Sequence, residues 1–446
     1  LSGLEGRDRR EARQCKGGKL ASGLRLGRAL PLLAGLLLAG CGASVPKGTV
    51  GSVEGFLGGA VADEPRAALV AREILSAGGN AVDAAVGLYF TLAVTYPSAA
   101  ALGGGGRCLV YQARKNEIES LDFLPGVPSA GGPVAIPGSM RGMAAMQARY
   151  GDLRWAALLS PAENIARNGE RVSRAMARSL TAFEGRSDGR LAPLLRDQQG
   201  ALLKEGTPYR RIGLAGLISR LRAQGGAAFY GGQIAADFVA DTAALGGRLT
   251  VEDLRNYKPR WQKTRTVEIG DLEAHTTSDE DGERVAAALT ALEDGGQVAA
   301  DSEATADYAS TSFLTVDRQG NAVACAVTMN RPFGIADLAA ISGTIPAAAD
   351  NPSKGPAPLL VAFNRYTDQF YGAAVATGGA RTPERVAAAA FRMLRKRDDA
   401  GQAMAHSKGG LLNLAVCPEG LPDKPKSCRA VNDPAGFGLA SSADNY

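Results

Sequence analysis

Histidine is nearly missing from this chain: its 446 residues include only His275 and His406. Neither sits in a recognisable constellation, and there is no His-Glu-x-x-His or Cys-x-x-Cys run. Zinc sites of the common kinds and histidine-centred triads therefore lack support, and neither metal nor cofactor is expected. A Gly-x-x-x-x-Gly-Lys-Ser/Thr phosphate loop is also absent. The Gly103–Gly106 run leads into a strand pattern, not a helix, which disfavours a dinucleotide site. With 6 cysteines the chain is too poor in sulfur for a small disulfide scaffold. A hydrolase with so little histidine needs another base. An N-terminal α-amine, exposed by self-cleavage, is one candidate.

What is present is ordinary globular composition, with 45% hydrophobic and 21% charged residues, which excludes a disordered or fibrous protein. The net charge is +5, but it is unevenly placed. Residues 1–40 hold eight of the 50 basic and three of the 45 acidic residues, leaving 42 of each from Cys41 onward. A neutral body argues against nucleic acid as a partner.

The basic excess flanks an apolar run. Arg25 and Arg28 precede residues 29–40, Ala-Leu-Pro-Leu-Leu-Ala-Gly-Leu-Leu-Leu-Ala-Gly, and Cys41 follows. This is the shape of a secretory signal, too short for a comfortable permanent span. Leu38-Ala39-Gly40-Cys41 resembles a bacterial lipobox. Residues 1–40 are therefore expected to be a lipoprotein-type signal peptide, with Cys41 lipidated and the protein anchored to the membrane in the periplasm. Export implies an oxidising compartment. Cys108, Cys325, Cys417 and Cys428 then remain, which allows three pairings. Cys417 and Cys428 bracket a short Pro- and Lys-bearing loop and are the favoured pair.

Along the body, Pro65 opens a helical pattern with Ala67, Val70, Ala71 and Ile74 on one face. Asn80 caps a second, almost wholly apolar helix ending near Pro97. Arg107–Gln112 and Ile118–Phe123 read as strands, residues 139–180 and 212–245 as helical, and residues 250–257 as a short capped helix. The stretch 277–306 is acidic, Ala-rich and partly helical. Ser310–Asp317 and Asn321–Asn330 form a hairpin around Arg318-Gln319-Gly320, with Gly where a left-handed residue is needed. A regular register pairs Asp317 with Asn321, Ser312 with Ala326 and Ser310 with Thr328. Cross-strand partners share a face, so the Ser310 and Thr328 hydroxyls meet at the open end. Further on, Val375–Arg381 ends a strand and enters a helix through Gly378-Gly379, where adjacent N–H groups can face an anion.

Taken together these residues resemble the gamma-glutamyltransferase family of N-terminal nucleophile hydrolases, from about Val61 to Arg392. The matching motifs are Gly78–Ala85, Gly103–Gly106, Val134–Gly138, Phe229–Gly232, Thr250–Leu254 with Tyr257, and Gly320–Val323. The resemblance implies an α+β fold, a four-layer αββα sandwich. It also implies a precursor that cuts itself into two fragments that stay associated, a large region 41–309 and a small region 310–446 within one domain. The new N-terminal residue is the nucleophile, and Ser310 falls on that position. Thr311 has the family's residue type but sits one position late, which points it to the opposite face. Ser310 is favoured and Thr311 is kept as the alternative. Thr328 would orient the nucleophile, and Asn330 completes the family's Thr-x-Asn. Gly378 and Gly379 match the oxyanion-hole pair, and Arg381 is the candidate substrate contact beside them. The substrate class implied is a small gamma-glutamyl amide or a related acyl amide, with transfer to water or an amine.

Where the family holds the glutamyl α-carboxylate with an Arg after Asp-Phe, this chain has Asp122-Phe123-Leu124. Its amide-rich and acidic segment, which holds the α-amine, is replaced by Ile345-Pro346-Ala347-Ala348-Ala349, and Ser312 stands where the family usually has His. A different acyl group, or a scaffold retained for binding alone, is the competing reading. The leader makes its own prediction. Wild type from a bacterium able to process lipoproteins should partition into detergent, and Cys41→Ser should not. A wild type that stays in the aqueous phase overturns the anchor.

Overall fold

The hairpin at residues 310–328 is the centre of the molecule. The computed structural model describes residues 56–184, 191–197, 199–301, 308–337, 342–349, 358–406 and 408–444. The signal-like segment and Cys41 lie outside the described residues. In chain order the strands are β1 (Phe56–Ala62), β2 (Gly105–Gln112), β3 (Glu117–Phe123), β4 (Glu170–Arg171), β5 (Pro208–Tyr209), β6 (Arg260–Gln262), β7 (Arg265–Ile269), β8 (Leu272–Thr276), β9 (Ser310–Asp317), β10 (Ala322–Thr328), β11 (Leu359–Asn364), β12 (Gln369–Thr377), β13 (Leu411–Leu421), β14 (Arg429–Asn432) and β15 (Leu439–Asp444). Seven form one sheet in the order β15-β1-β9-β10-β2-β3-β6, and six form a second in the order β14-β13-β12-β11-β8-β7. The pairs in both sheets are antiparallel. The short β4 and β5 pair apart from these.

Strand alternation explains why the sheets stack. On β10, Val323, Cys325 and Val327 point to helices on one side, and Ala322, Ala324 and Ala326 point to the other sheet. Small side chains on the inner face let two sheets approach, while branched ones fill the helix layer. Leu314 and Val316 of β9 and Val361, Val375 and Ala415 of the second sheet complete that inner layer. Beyond the second sheet, Leu360, Ala374, Ala376 and Leu414 pack on helices Glu280–Glu293 and Thr382–Leu394. Three apolar layers between four layers of secondary structure make the αββα sandwich.

The register of β9 and β10 is the expected one, with Ser310 opposite Thr328 and Ser312 opposite Ala326. Gly320 takes a φ of 85° in the turn. Asp317 locks the loop: its carboxylate accepts hydrogen bonds from the Gln319 and Asn321 N–H groups and from the Asn321 side chain. It also accepts from the N–H of Ala81, the first residue of α2 (Ala81–Thr95), which follows α1 (Pro65–Ser76). A carboxylate at a helix N-terminus meets unpaired N–H donors and the positive end of the helix dipole. Asn80 and Asp83 add a reciprocal capping box, and every residue of α2 is buried. The apolar helix is thus pinned to the turn of the central hairpin.

Two helical stretches are broken where the sequence reading ran them together. Residues 139–180 hold helices Ser139–Tyr150, Trp155–Asn168 and Arg174–Phe183, and 212–245 hold Ile212–Gln224 and Gly232–Ala244. Gly169 and Gly225, with φ of 97° and 84°, supply two of the interruptions, because left-handed backbone cannot continue a right-handed helix. Among the described residues the cysteines form two bonds. Cys108 joins Cys325 across the neighbouring strands β2 and β10, and Cys417 joins Cys428 across the turn between β13 and β14.

Candidate active site

Three successive hydrogen-bonding groups meet at the open end of the hairpin. The Ser310 hydroxyl donates to Thr328 Oγ1 at 3.0 Å. The Thr328 hydroxyl donates to the Ala309 carbonyl at 3.2 Å. The same carbonyl accepts from the Met329 N–H at 2.9 Å. Asn330 N–H donates to Thr328 Oγ1 at 2.9 Å, fixing the direction of that hydroxyl. Asn330 has a φ of 63°, which turns the chain away from the strand, and its amide donates to the Ala348 carbonyl at 2.7 Å. Ser310 is buried like Thr328 but retains 8% of its surface. A hydroxyl therefore sits beside a carbonyl polarised by two donors. That is the geometry a nucleophile and a developing oxyanion require.

Thr311 occupies the other face. Its hydroxyl donates to Asp63 Oδ2 at 2.9 Å, so of the two neighbouring hydroxyls only Ser310 meets Thr328. Ser312 returns to the inter-sheet side, where its Oγ accepts from Asn413 at 2.9 Å. Asp63 also accepts from the Ser312 N–H at 3.0 Å and from the Asn413 amide at 2.9 Å. Burial pushes its carboxyl above the ordinary range, although these donors act in the opposite direction. Asp63 was not legible in the sequence. Asp63-Glu64-Pro65 reads as the start of a helix, and two consecutive acids look exposed.

Gly378 and Gly379 follow β12 with φ of 69° and 92°, just before helix Thr382–Leu394. Arg381 is exposed, and its guanidinium donates to the Ala299 carbonyl at 3.0 Å. Leu124 continues β3 from the Gly106–Phe123 pair, which puts it across from Gly105. Gly105 pairs with Thr328 and Thr328 with Ser310, so position 124 belongs to the nucleophile's row. Two residues along β2 from Gly105 stands Arg107, whose charge is already paired. It is buried between Asp122, at 3.2 Å, and Asp279, to which it also donates. Burial, with Asp279 adding to it, pushes the adjoining Asp281 up to about 6. Along the other side runs the segment Ile345–Ala349, whose apolar residues are buried. The N–H of Ala348 donates to Met329 and that of Ala347 to Gly103.

Comparison with known proteins agrees with this arrangement. A family profile described as gamma-glutamyltranspeptidase matches residues 67–306, more than half of the chain. The chain belongs to the gamma-glutamyltranspeptidase family. The match is shorter than the stretch over which the motifs were read, and it stops four residues before Ser310. A glutathione hydrolase proenzyme of Pseudomonas aeruginosa is 33% identical over 240 residues, covering 47% of this chain and 41% of that protein. Scoloptoxin SSD14 of Scolopendra dehaani is 32% identical over 202 residues, covering 41% and 35%. The chain thus spans about two fifths of the length of these curated relatives. Among solved structures, a cephalosporin acylase from Bacillus halodurans shares the fold, with a TM-score of 0.69 at 18% identity over 90% of this chain and 98% of that one.

Proposed function

We propose that this gamma-glutamyltranspeptidase-family chain is an exported, lipid-anchored, self-processing amidohydrolase whose nucleophile is Ser310. The observation that carries this reading is the chain of hydrogen bonds from Ser310 through Thr328 to the Ala309 carbonyl. In the processing step Ser310 Oγ bonds to the Ala309 carbonyl carbon, and the hydroxyl proton passes to the Ser310 nitrogen as the C–N bond breaks. Water then hydrolyses the ester, leaving a carboxylate on Ala309 and a free hydroxyl and amine on Ser310. The name proenzyme carried by the Pseudomonas aeruginosa relative is consistent with such a step.

In turnover the new α-amine, with a reference pKa of about 8, takes the hydroxyl proton as the Oγ attacks a substrate amide. Thr328 orients the hydroxyl, and the N–H groups of Gly378 and Gly379 face the carbonyl oxygen, each such donor being worth roughly 3 kcal/mol. The acyl-enzyme passes to water or to an amine. On a denaturing gel with reductant, wild type should run as two fragments, about two thirds and one third of its length, and Ser310→Ala as one. An intact wild type would instead favour a scaffold used for binding.

The wall of the site argues for an acyl group with few charges. A free α-carboxylate must be stripped of water, which is favourable only against a matched cation. Leu124 offers none, Arg107 is shared by Asp122 and Asp279, and Arg381 is turned to Ala299. The side chains of the buried Ile345–Ala349 segment offer no acceptor to an ammonium. Each charged hydrogen bond lost costs about 2–3 kcal/mol, so the specificity constant for a gamma-glutamyl amide falls roughly a hundredfold for each charge left unmet. The check is a rate comparison of γ-glutamyl-, glutaryl- and pentanoyl-anilide on processed enzyme. The glutaryl compound lacks the ammonium and the pentanoyl compound lacks both charges. At least one should match the γ-glutamyl compound; a strong preference for γ-glutamyl refutes the reading.

A further inference from the structure

The ladder between β1 and β9 ends early. Its last pair is Ala62 with Phe313, so among the described residues Ser310, Thr311 and Ser312 have no strand-pairing partner on that side. The side chain of Asp63 takes over. One carboxylate oxygen accepts from the Thr311 hydroxyl and the Ser312 N–H, at 2.9 and 3.0 Å. The other accepts from Asn413 of β13 at 2.9 Å and from Asn432 of β14 at 3.4 Å. Asp63 is fully buried. It therefore ties the start of β9 to both β1 and the second sheet.

We propose that Asp63 is a positioning residue that keeps Ser310 aligned on Thr328 once the chain is cut. This rests on the reading of Ser310 as the new chain terminus. Before the cut, residue 309 holds Ser310 from one side. Afterwards Ser310 is a terminal residue, and terminal residues fray unless tied down. Fixing residues 311 and 312 leaves one residue free to move, and the Thr328 contact orients it. Misplacing a nucleophile by about 1 Å can cost roughly a hundredfold in rate. Asp63 must be ionised to accept on both oxygens. The charged groups around it are Asp433, which is paired with Arg385 at 2.9 Å, and Glu64, which faces the Ala67 N–H and the Thr95 hydroxyl. The cut itself introduces two further titrating groups, the Ser310 amine and the Ala309 carboxylate. As pH falls through the raised Asp63 pKa, the grip on residues 311–312 is lost and the rate falls.

The test compares D63N, T311V and T311S as processed enzymes. D63N should lower kcat about 10–100-fold with KM little changed, and should lose from the acid limb of the wild-type pH profile the step that Asp63 contributes, keeping the step set by the Ser310 amine. T311V should lower kcat, while T311S, which keeps the hydroxyl, stays within about twofold of wild type. D63N with wild-type kcat and an unchanged acid limb overturns the proposal. If D63N does not fold, the threonine pair decides, and T311V equal to T311S overturns it. An unprocessed and inactive wild type overturns the functional reading and this proposal together.

A separate observation carries a second inference. Cys108 belongs to the region before the cut and Cys325 to the region after it, and they are bonded across β2 and β10. The Cys417–Cys428 bond lies wholly within the second region. The geometry points to a processed protein whose two fragments are joined covalently by Cys108–Cys325. Both of these cysteines are fully buried, which shields the bond from thiols in the folded state. After thiol blocking and denaturation, wild type should give one band without reductant and two with it. C325A should give two bands in either case. Two wild-type bands without reductant overturn the covalent link while leaving self-cleavage intact, and one band under both conditions overturns both.

Discussion

The hydrogen bond from Ser310 to Thr328 depends on register, and the rest of the fold serves that register. Slipping β9 by a single residue would bring Thr311 to the inter-sheet face and turn Ser310 to the helices. Several features prevent the slip. Asp317 closes the turn with three local hydrogen bonds and reaches the first N–H of α2. Thr315 donates to the Ala81 carbonyl from the neighbouring row. Phe313 and Thr315 would have to exchange places with Leu314 and Val316, forcing an aromatic ring into the narrow gap between sheets and breaking the Thr315 contact to Ala81. The inner layer is close-packed, so no such exchange is cheap.

That part of the structure was readable because it is local. A hairpin with a three-residue turn and a glycine at its end has few registers, and alternation along each strand selects one. Pro65, Asn80 and Thr250 likewise mark helix starts by capping chemistry alone, and their side chains or rings sit where that chemistry requires. Long-range pairings were not readable in the same way. Asp63 and Asn413 are 350 positions apart, and no spacing rule connects them. Arg107 could be named as a free cation from sequence, yet Asp122 and Asp279 both claim it, and the second arrives from the N-cap of helix Glu280–Glu293, 172 positions away. The break at Gly169 was invisible because an isolated glycine in a helical pattern is usually tolerated, whereas Gly225-Gly226 is a glycine pair that marks its break.

The family match and the site complement each other. The profile covers residues 67–306, which build the helices and edge strands around the centre. The hairpin and the residues from Thr377 to Arg381 lie beyond it. What supports them as a site is physical: two hydroxyls in one row, a carbonyl with two donors, and a left-handed Asn330 that ties the strand end to the Ile345–Ala349 wall. The same wall is where the chain departs from the motifs of its family. Nucleophile geometry depends on the sheet and is hard to alter without losing the fold. Side chains at the rim, such as Leu124, can change at little cost to stability.

The central claim is that Ser310 is both the residue freed by cleavage and the residue that carries the acyl group. N-terminal sequencing of the smaller fragment, combined with mass mapping after reaction with a small acyl-transferring electrophile, tests it most directly. The account predicts a fragment that begins with Ser310 and carries one acyl adduct on that residue. A fragment that begins at Thr311, or an adduct on any other side chain, would contradict it.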